Sequence, residues 1–123
     1  VFIQLSTDEK YLRDNLSFEQ VEKMAIENTA DIMSLGFNPE RTRIISNFEA
    51  IKQLYPTIMA ISRNVTVKQM TATFGVKEGD KIGNYYFPAV EAAPAFSSSL
   101  KGIIDGYSRC LVVLGLDQVC NPA

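Results

Sequence analysis

The residues best suited to chemistry lie where apolar runs give way to polar ones. The run that opens the chain contains Gln4, with Glu9 and Lys10 one step on, and a later run leads into Gly115-Leu-Asp117-Gln118. An amide can fix a ligand N–H or carbonyl, a carboxylate can pair with an ammonium group, and an aspartate can hold ribose hydroxyls. A further carboxylate, Glu91, sits between two prolines in Phe87-Pro-Ala-Val-Glu-Ala-Ala-Pro-Ala-Phe96. A proline in a helix interior removes a donor and clashes with the preceding turn at a cost of about 3 kcal/mol, so Pro88 and Pro94 either bracket a helical turn or kink it. If the run is helical, Glu91 shares a face with Phe87, Pro94 and Ala95, and a charge on that apolar face needs a partner. Plainer explanations stand beside these. Ser6-Thr-Asp-Glu9 has the spacing of a capping box, Gln4 suits a sheet edge, and Asp117 suits the start of a helix.

Several chemistries are excluded. The chain has no histidine, so neither a Ser-His-Asp triad nor a Cys-His dyad is possible within it. Cys110 and Cys120 match no zinc spacing and no disulfide framework, and read as free intracellular thiols. At 123 residues, 46% hydrophobic and 21% charged, the composition suits one compact domain. A net charge of −2 with scattered lysines and arginines gives no basic field for nucleic acid, so any RNA contact is local or made elsewhere. The apolar runs fall far short of the about 20 residues that span a bilayer. The sequons at Asn15 and Asn64 read as helix starts. Both ends fall near apolar runs, and the chain reads as an excised piece of a larger protein, residues 1–123 being part of one domain truncated at both ends.

The elements that must position these residues follow in order. Val1 to Leu5 reads as a buried strand running into a helix start at Ser6. Ser17-Phe-Glu-Gln20 is a second capping box, opening a helix whose apolar positions keep helical spacing until Gly36. Thr42 to Ser46 reads as a second strand. Helical patterns run from Phe48 to about Ser62, where Pro56 is expected to kink or divide the helix, and from a third capping box at Thr66-Val-Lys-Gln69 to Phe74. Gly75, Gly79 and Gly83 mark a turn region without the pattern of a phosphate loop. The two-proline helix follows, and Cys110 to Leu114 reads as a third buried strand. This order is that of an α/β fold with parallel strands and helical crossovers, which places ligands beyond the carboxyl ends of the strands.

Taken together, the segments resemble the catalytic domain of eukaryotic-type tryptophanyl-tRNA synthetases. The resemblance rests on Val1 to Lys10, on Ala25-Ile-Glu-Asn-Thr-Ala-Asp-Ile32 followed by Gly36-Phe37, and on Phe74-Gly75-Val76. It continues with Phe87 to Phe96 and its three following serines, and with Leu116-Asp117-Gln118. It implies part of a Rossmann-like class I synthetase domain, in which the tryptophan carboxylate attacks the α-phosphate of ATP, magnesium accompanies the nucleotide, pyrophosphate leaves, and the tryptophanyl group passes to tRNA. Such chemistry rests on positioning and on stabilising phosphate charge. By carry-over Gln4 contacts tryptophan near the indole nitrogen, Glu9 pairs with its ammonium and Lys10 lies near its carboxylate. Gln118 holds the amino-acid end, and Gly115 and Asp117 lie on the ribose side of ATP. The resemblance also implies a cytoplasmic homodimer that meets tRNA largely through parts outside this segment; the apolar positions of the helices between Phe48 and Phe74 suit either the dimer interface or, equally, an intramolecular core.

The chain departs from the family pattern in three ways. The family's HIGH-type and KMSKS-type motifs lie upstream and downstream of this segment, so the segment alone is not expected to activate tryptophan. After Gln118 it reads Val119-Cys-Asn-Pro-Ala123 in place of an acidic Pro-Tyr-Phe-Arg-like run. Glu91 stands where the pattern has a substrate-contacting glutamine. A carboxylate 4 Å from another negative charge is repelled by about 4 kcal/mol at an effective dielectric near 20, roughly three orders of magnitude in binding. The alternative is a divergent synthetase-like homologue that has lost aminoacylation and serves as a binding or structural protein.

Overall fold

The computed structural model describes residues 1–113, and the chain divides into two compact units, Val1–Lys52 and Gln53–Ala123. In the first unit β1 (Phe2–Leu5) and β2 (Arg43–Ser46) pair in parallel, with Phe2 opposite Arg43 and Leu5 opposite Ser46. A parallel pair needs a long crossover, supplied here by α1 (Thr7–Arg13) and α2 (Phe18–Ser34). The strands end together, which sets two strand-to-helix junctions side by side.

The start and stop of α2 are those the sequence specifies. Ser17 Oγ accepts the Gln20 N–H at 3.3 Å, and Gln20 Oε1 accepts the Ser17 N–H at 2.8 Å. Gly36 ends the segment at φ +89°, a left-handed conformation that costs other residues, with its N–H on the Met33 carbonyl. Tyr11 stacks on Phe18 at 3.9 Å between ring centroids, and Phe18 meets Phe48 at 5.3 Å, tying α1 and α2 to the start of the next helix.

That helix, α3 (Asn47–Asn64), runs through Pro56 without dividing. The Lys52 carbonyl that Pro56 cannot serve belongs to an exposed residue, so water can satisfy it. Leu54 and Ile58 flank the proline and are both fully buried. At roughly 1.5–3 kcal/mol each, their burial outweighs the proline penalty.

In the second unit, α4 (Val67–Phe74) opens with the expected Thr66–Gln69 box and closes on Gly75 at φ +66°. The sequons thus coincide with helix starts, since Ser17 and Thr66 are N-caps. The two-proline run forms α5 (Ile82–Ala92), with Pro88 inside it, and a 3₁₀ turn over Ala93–Ala95 that contains Pro94. Pro94 therefore falls in the first turn of that short element, where a missing N–H costs little. Gly83, expected in the preceding turn, lies buried in the first turn of α5 instead. Ala89, Val90, Ala93 and Leu100 are buried, and the Ser99 hydroxyl lies 2.7 Å from the carbonyls of both Ala93 and Phe96.

The expected third strand does not form over residues 110–113, which have no regular structure, with Leu111 92% and Val113 87% exposed. An apolar run becomes a strand only where another strand's edge accepts it. Leu114, the last residue of that expected strand, lies outside the described residues. Among the described residues no helix is long and apolar enough to cross a membrane.

Candidate functional site

The carboxyl ends of β1 and β2 carry the best-formed polar constellation in the first unit. Gln4, part-buried on β1, donates from Nε2 to Asn47 Oδ1 at 2.6 Å. Asn47 donates from Nδ2 to Asp8 Oδ1 at 2.6 Å, and the Glu9 backbone N–H donates to the same oxygen at 3.0 Å. Asn47 is 1% exposed, so both ends of its amide must be satisfied by protein, and they are. Asn47, about 40 residues on in sequence, thus links Gln4 and Asp8 into one chain of hydrogen bonds across the strand ends.

Asn47 is available because the residue before it does the capping. Ser46 Oγ accepts the Glu49 N–H and Glu49 Oε2 accepts the Ser46 N–H, both at 3.3 Å, a reciprocal box that starts α3. The box expected at Ser6–Glu9 does not form. Ser6 makes no side-chain cap bond, and Glu9 Oε1 pairs with Arg13 Nη1 at 2.9 Å, one turn along. Asp8, lying between them, turns to Asn47. Burial pushes the Asp8 carboxyl above the usual carboxylate range, against the pull of its bonds from the Asn47 amide and the Glu9 N–H. Beside it the Thr7 hydroxyl is buried with no hydrogen-bond partner among the described residues.

The predicted site residues are distributed as follows. Gln4, Glu9 and Lys10 all lie at the β1–α1 junction. Gln4 is held by the network, Glu9 is partly exposed, and Lys10 is exposed with Nζ on Asp14 Oδ2 at 3.0 Å. Glu91 lies on α5 in the second unit and is exposed, while Pro88, Ala89 and Val90 of the same helix are buried. The carboxylate is not sunk in the apolar core of that unit. Gly115, Asp117, Gln118 and Cys120 lie outside the described residues, and Cys110 is an exposed free thiol. Sequence reasoning missed Asp8 and Asn47. The available signal was Ser46-Asn-Phe-Glu49, whose capping box leaves an asparagine beside the end of a strand with no capping task.

What the arrangement can do is present one amide, one partly exposed carboxylate and one ammonium group at the carboxyl end of a parallel pair. That is where α/β folds bind small ligands. Among the described residues no cluster of three or more His, Cys, Asp or Glu could hold a metal ion.

No family model matches the chain. Over 94% of its length it is 38% identical to the cytoplasmic tryptophan–tRNA ligase of Dictyostelium discoideum, covering 30% of that protein. It is similar in fold to the tryptophanyl-tRNA synthetase of Plasmodium falciparum, with a TM-score of 0.78 and 42% identity over 81% of this chain and 28% of that one. A tryptophanyl-tRNA synthetase of Encephalitozoon cuniculi, solved bound to tryptophan, matches with a TM-score of 0.76 and 39% identity over 80% of this chain and 27% of that one. The chain spans 30% or less of the first curated relatives it matches. The resemblance carried by its ordered motifs is thus borne out in sequence and in fold, as is the Rossmann-like α/β class with parallel strands. The matches give no support to the alternative of a homologue without aminoacylation.

Proposed function

We propose, on the premise that this segment is that of the tryptophan–tRNA ligase family, that the intact protein activates tryptophan with ATP and passes the tryptophanyl group to tRNA. Residues 1–123 are then the central part of its catalytic domain. The observation that carries this reading is the 38% identity to a ligase along 94% of the chain. ATP enters with magnesium as part of the substrate, and the partners are tryptophan and tRNA, the latter met largely through other parts of the protein.

The β1–α1 junction is the amino-acid end of the site. Gln4 meets the indole nitrogen, Glu9 pairs with the ammonium group, and Lys10 lies near the carboxylate. An amide suits an indole N–H because it offers a hydrogen bond without burying a charge in an apolar pocket. The ion pairs of Glu9 with Arg13 and Lys10 with Asp14 are partly or largely exposed, worth little in water, and exchange readily for ligand contacts. Gln118 completes the amino-acid end, with Gly115 and Asp117 beside the ribose. Glu91 belongs to the substrate-facing helix, and its exposure supports a carboxylate that solvent and counter-charges screen rather than one that excludes ATP.

The intact protein is a cytoplasmic homodimer in this reading. Exposed Ile51, Tyr55 and Met59, four residues apart on α3, support an apolar contact face there. A monomer by sedimentation would remove that part of the proposal. The activity is tested by tryptophan-dependent exchange of pyrophosphate into ATP, followed by charging of tRNA. We expect exchange with tryptophan, and absence of exchange by the intact protein would overturn the reading. In the same assay Glu91→Gln preserves or raises the rate, whereas a large loss would show that the carboxylate is itself required.

A further inference from the structure

We infer that Asn47 is a positioning residue that fixes the direction of the Gln4 amide, so that Gln4 meets the substrate through its carbonyl oxygen and selects a ligand carrying an N–H at that point. The inference rests on the proposed function and deepens it, since it assigns a specificity role to two residues, Asn47 and Asp8, that touch no substrate.

The direction follows from donors and acceptors alone. Asp8 Oδ1 already accepts the Glu9 backbone N–H, so this oxygen is an acceptor whether or not the carboxyl carries a proton on its other oxygen. The corner of the Asn47 amide 2.6 Å from it is therefore the NH₂ group. The remaining corner is the carbonyl oxygen, and it lies 2.6 Å from Gln4, which must answer with its own NH₂ group. The Gln4 NH₂ group is thus anchored inward by one of its two N–H bonds, which holds Oε1 at the opposite corner of the amide as the acceptor it offers a ligand. An unsupported glutamine would present either end, and would meet a ring N–H and a ring acceptor about equally. The capping box of Ser46 with Glu49 is part of the device, because it leaves the Asn47 side chain for this task.

The test uses the intact protein in pyrophosphate exchange with two substrates, tryptophan and its benzothienyl analogue, in which sulfur replaces the indole N–H. We expect Asn47→Ala to lower kcat/KM for tryptophan roughly tenfold, the worth of one well-placed hydrogen bond, while the analogue changes by about twofold or less. The exchanged pair Asp8→Asn with Asn47→Asp keeps the Gln4 amide pointing the same way, because the carboxylate now at position 47 accepts from Gln4 and from the amide now at position 8. It should restore the preference for tryptophan. Equal losses on both substrates would mean that Asn47 only supports the fold, and would overturn the inference. An unchanged preference in Asn47→Ala, or its loss in the exchanged pair, would also overturn it. If Asn47→Ala does not fold, Asn47→Ser, too short to reach both partners, is read in the same way. A wild-type protein with no tryptophan-dependent exchange would instead overturn the proposed function, and this inference with it.

Discussion

The two strand-to-helix junctions of the first unit share one spacing, Ser6-Thr-Asp-Glu9 after β1 and Ser46-Asn-Phe-Glu49 after β2, and they behave differently. After β2 the serine and glutamate close a reciprocal cap, and the residue between them is sent across to β1 and Asp8. After β1 no cap forms, Glu9 turns to Arg13, Asp8 is drawn into partial burial, and Thr7 keeps a buried hydroxyl without a partner among the described residues. One junction is resolved locally. The other forms no cap: Gln4 is oriented by its long-range bond to Asn47, while Glu9 and Lys10 pair one turn along α1 with Arg13 and Asp14, partly or largely exposed contacts that a ligand can replace.

The largest effect should come from the residue that links the two. Asn47→Ala leaves the Asp8 carboxylate partly buried without its amide partner and Gln4 without its acceptor, and we expect a loss of about 2–3 kcal/mol in urea unfolding of the intact protein. Next come the serines. Ser46→Ala should cost about 1 kcal/mol by removing a working cap, whereas Ser6→Ala removes no cap bond and should cost less at the helix start. Equal costs in the same unfolding assay would erase the distinction between the junctions.

Asp8 gives the third prediction. Its folded-state pKa is raised, so its contribution to stability is fully present below the unfolded pKa and is lost as pH rises through the folded one. Stability followed across about pH 3 to 7 should show this decline, and Asp8→Asn, which keeps an acceptor for Asn47, should remove it. The smallest effect is that of Thr7→Val, which deletes the unpartnered hydroxyl at nearly constant shape. It should leave the unfolding midpoint unchanged or raise it by less than about 1 kcal/mol equivalent.

The sequence displays what is periodic or local. The start and end of α2, the cap of α4 and the left-handed glycines at 36 and 75 depend on neighbours within a few residues, and the parallel pairing of two apolar runs follows from the order of strands and helices. The Gln4–Asn47–Asp8 chain joins residues about 40 positions apart, and no spacing rule reports it. The Ser6 box misled because its letters satisfy the rule while the Glu9 carboxylate pairs with Arg13 one turn along. The apolar run over 110–113 misled because β-pattern specifies a strand only when an edge is there to receive it. Pro56 does not divide α3, because burial of Leu54 and Ile58 outweighs one missing hydrogen bond. The roles proposed for Gln4, Glu9 and Lys10 rest on the ordered resemblance, since an amide and two charges beside a strand do not by themselves name a ligand.

The most direct test of the account is the Gln4→Leu substitution in the intact protein, followed by pyrophosphate exchange over a range of tryptophan and ATP concentrations. The account predicts that kcat/KM for tryptophan falls by one to two orders of magnitude, roughly the loss of a hydrogen bond to the indole, while KM for ATP is unchanged. A variant that uses tryptophan as well as the wild type would contradict the placement of the amino-acid site at the end of β1.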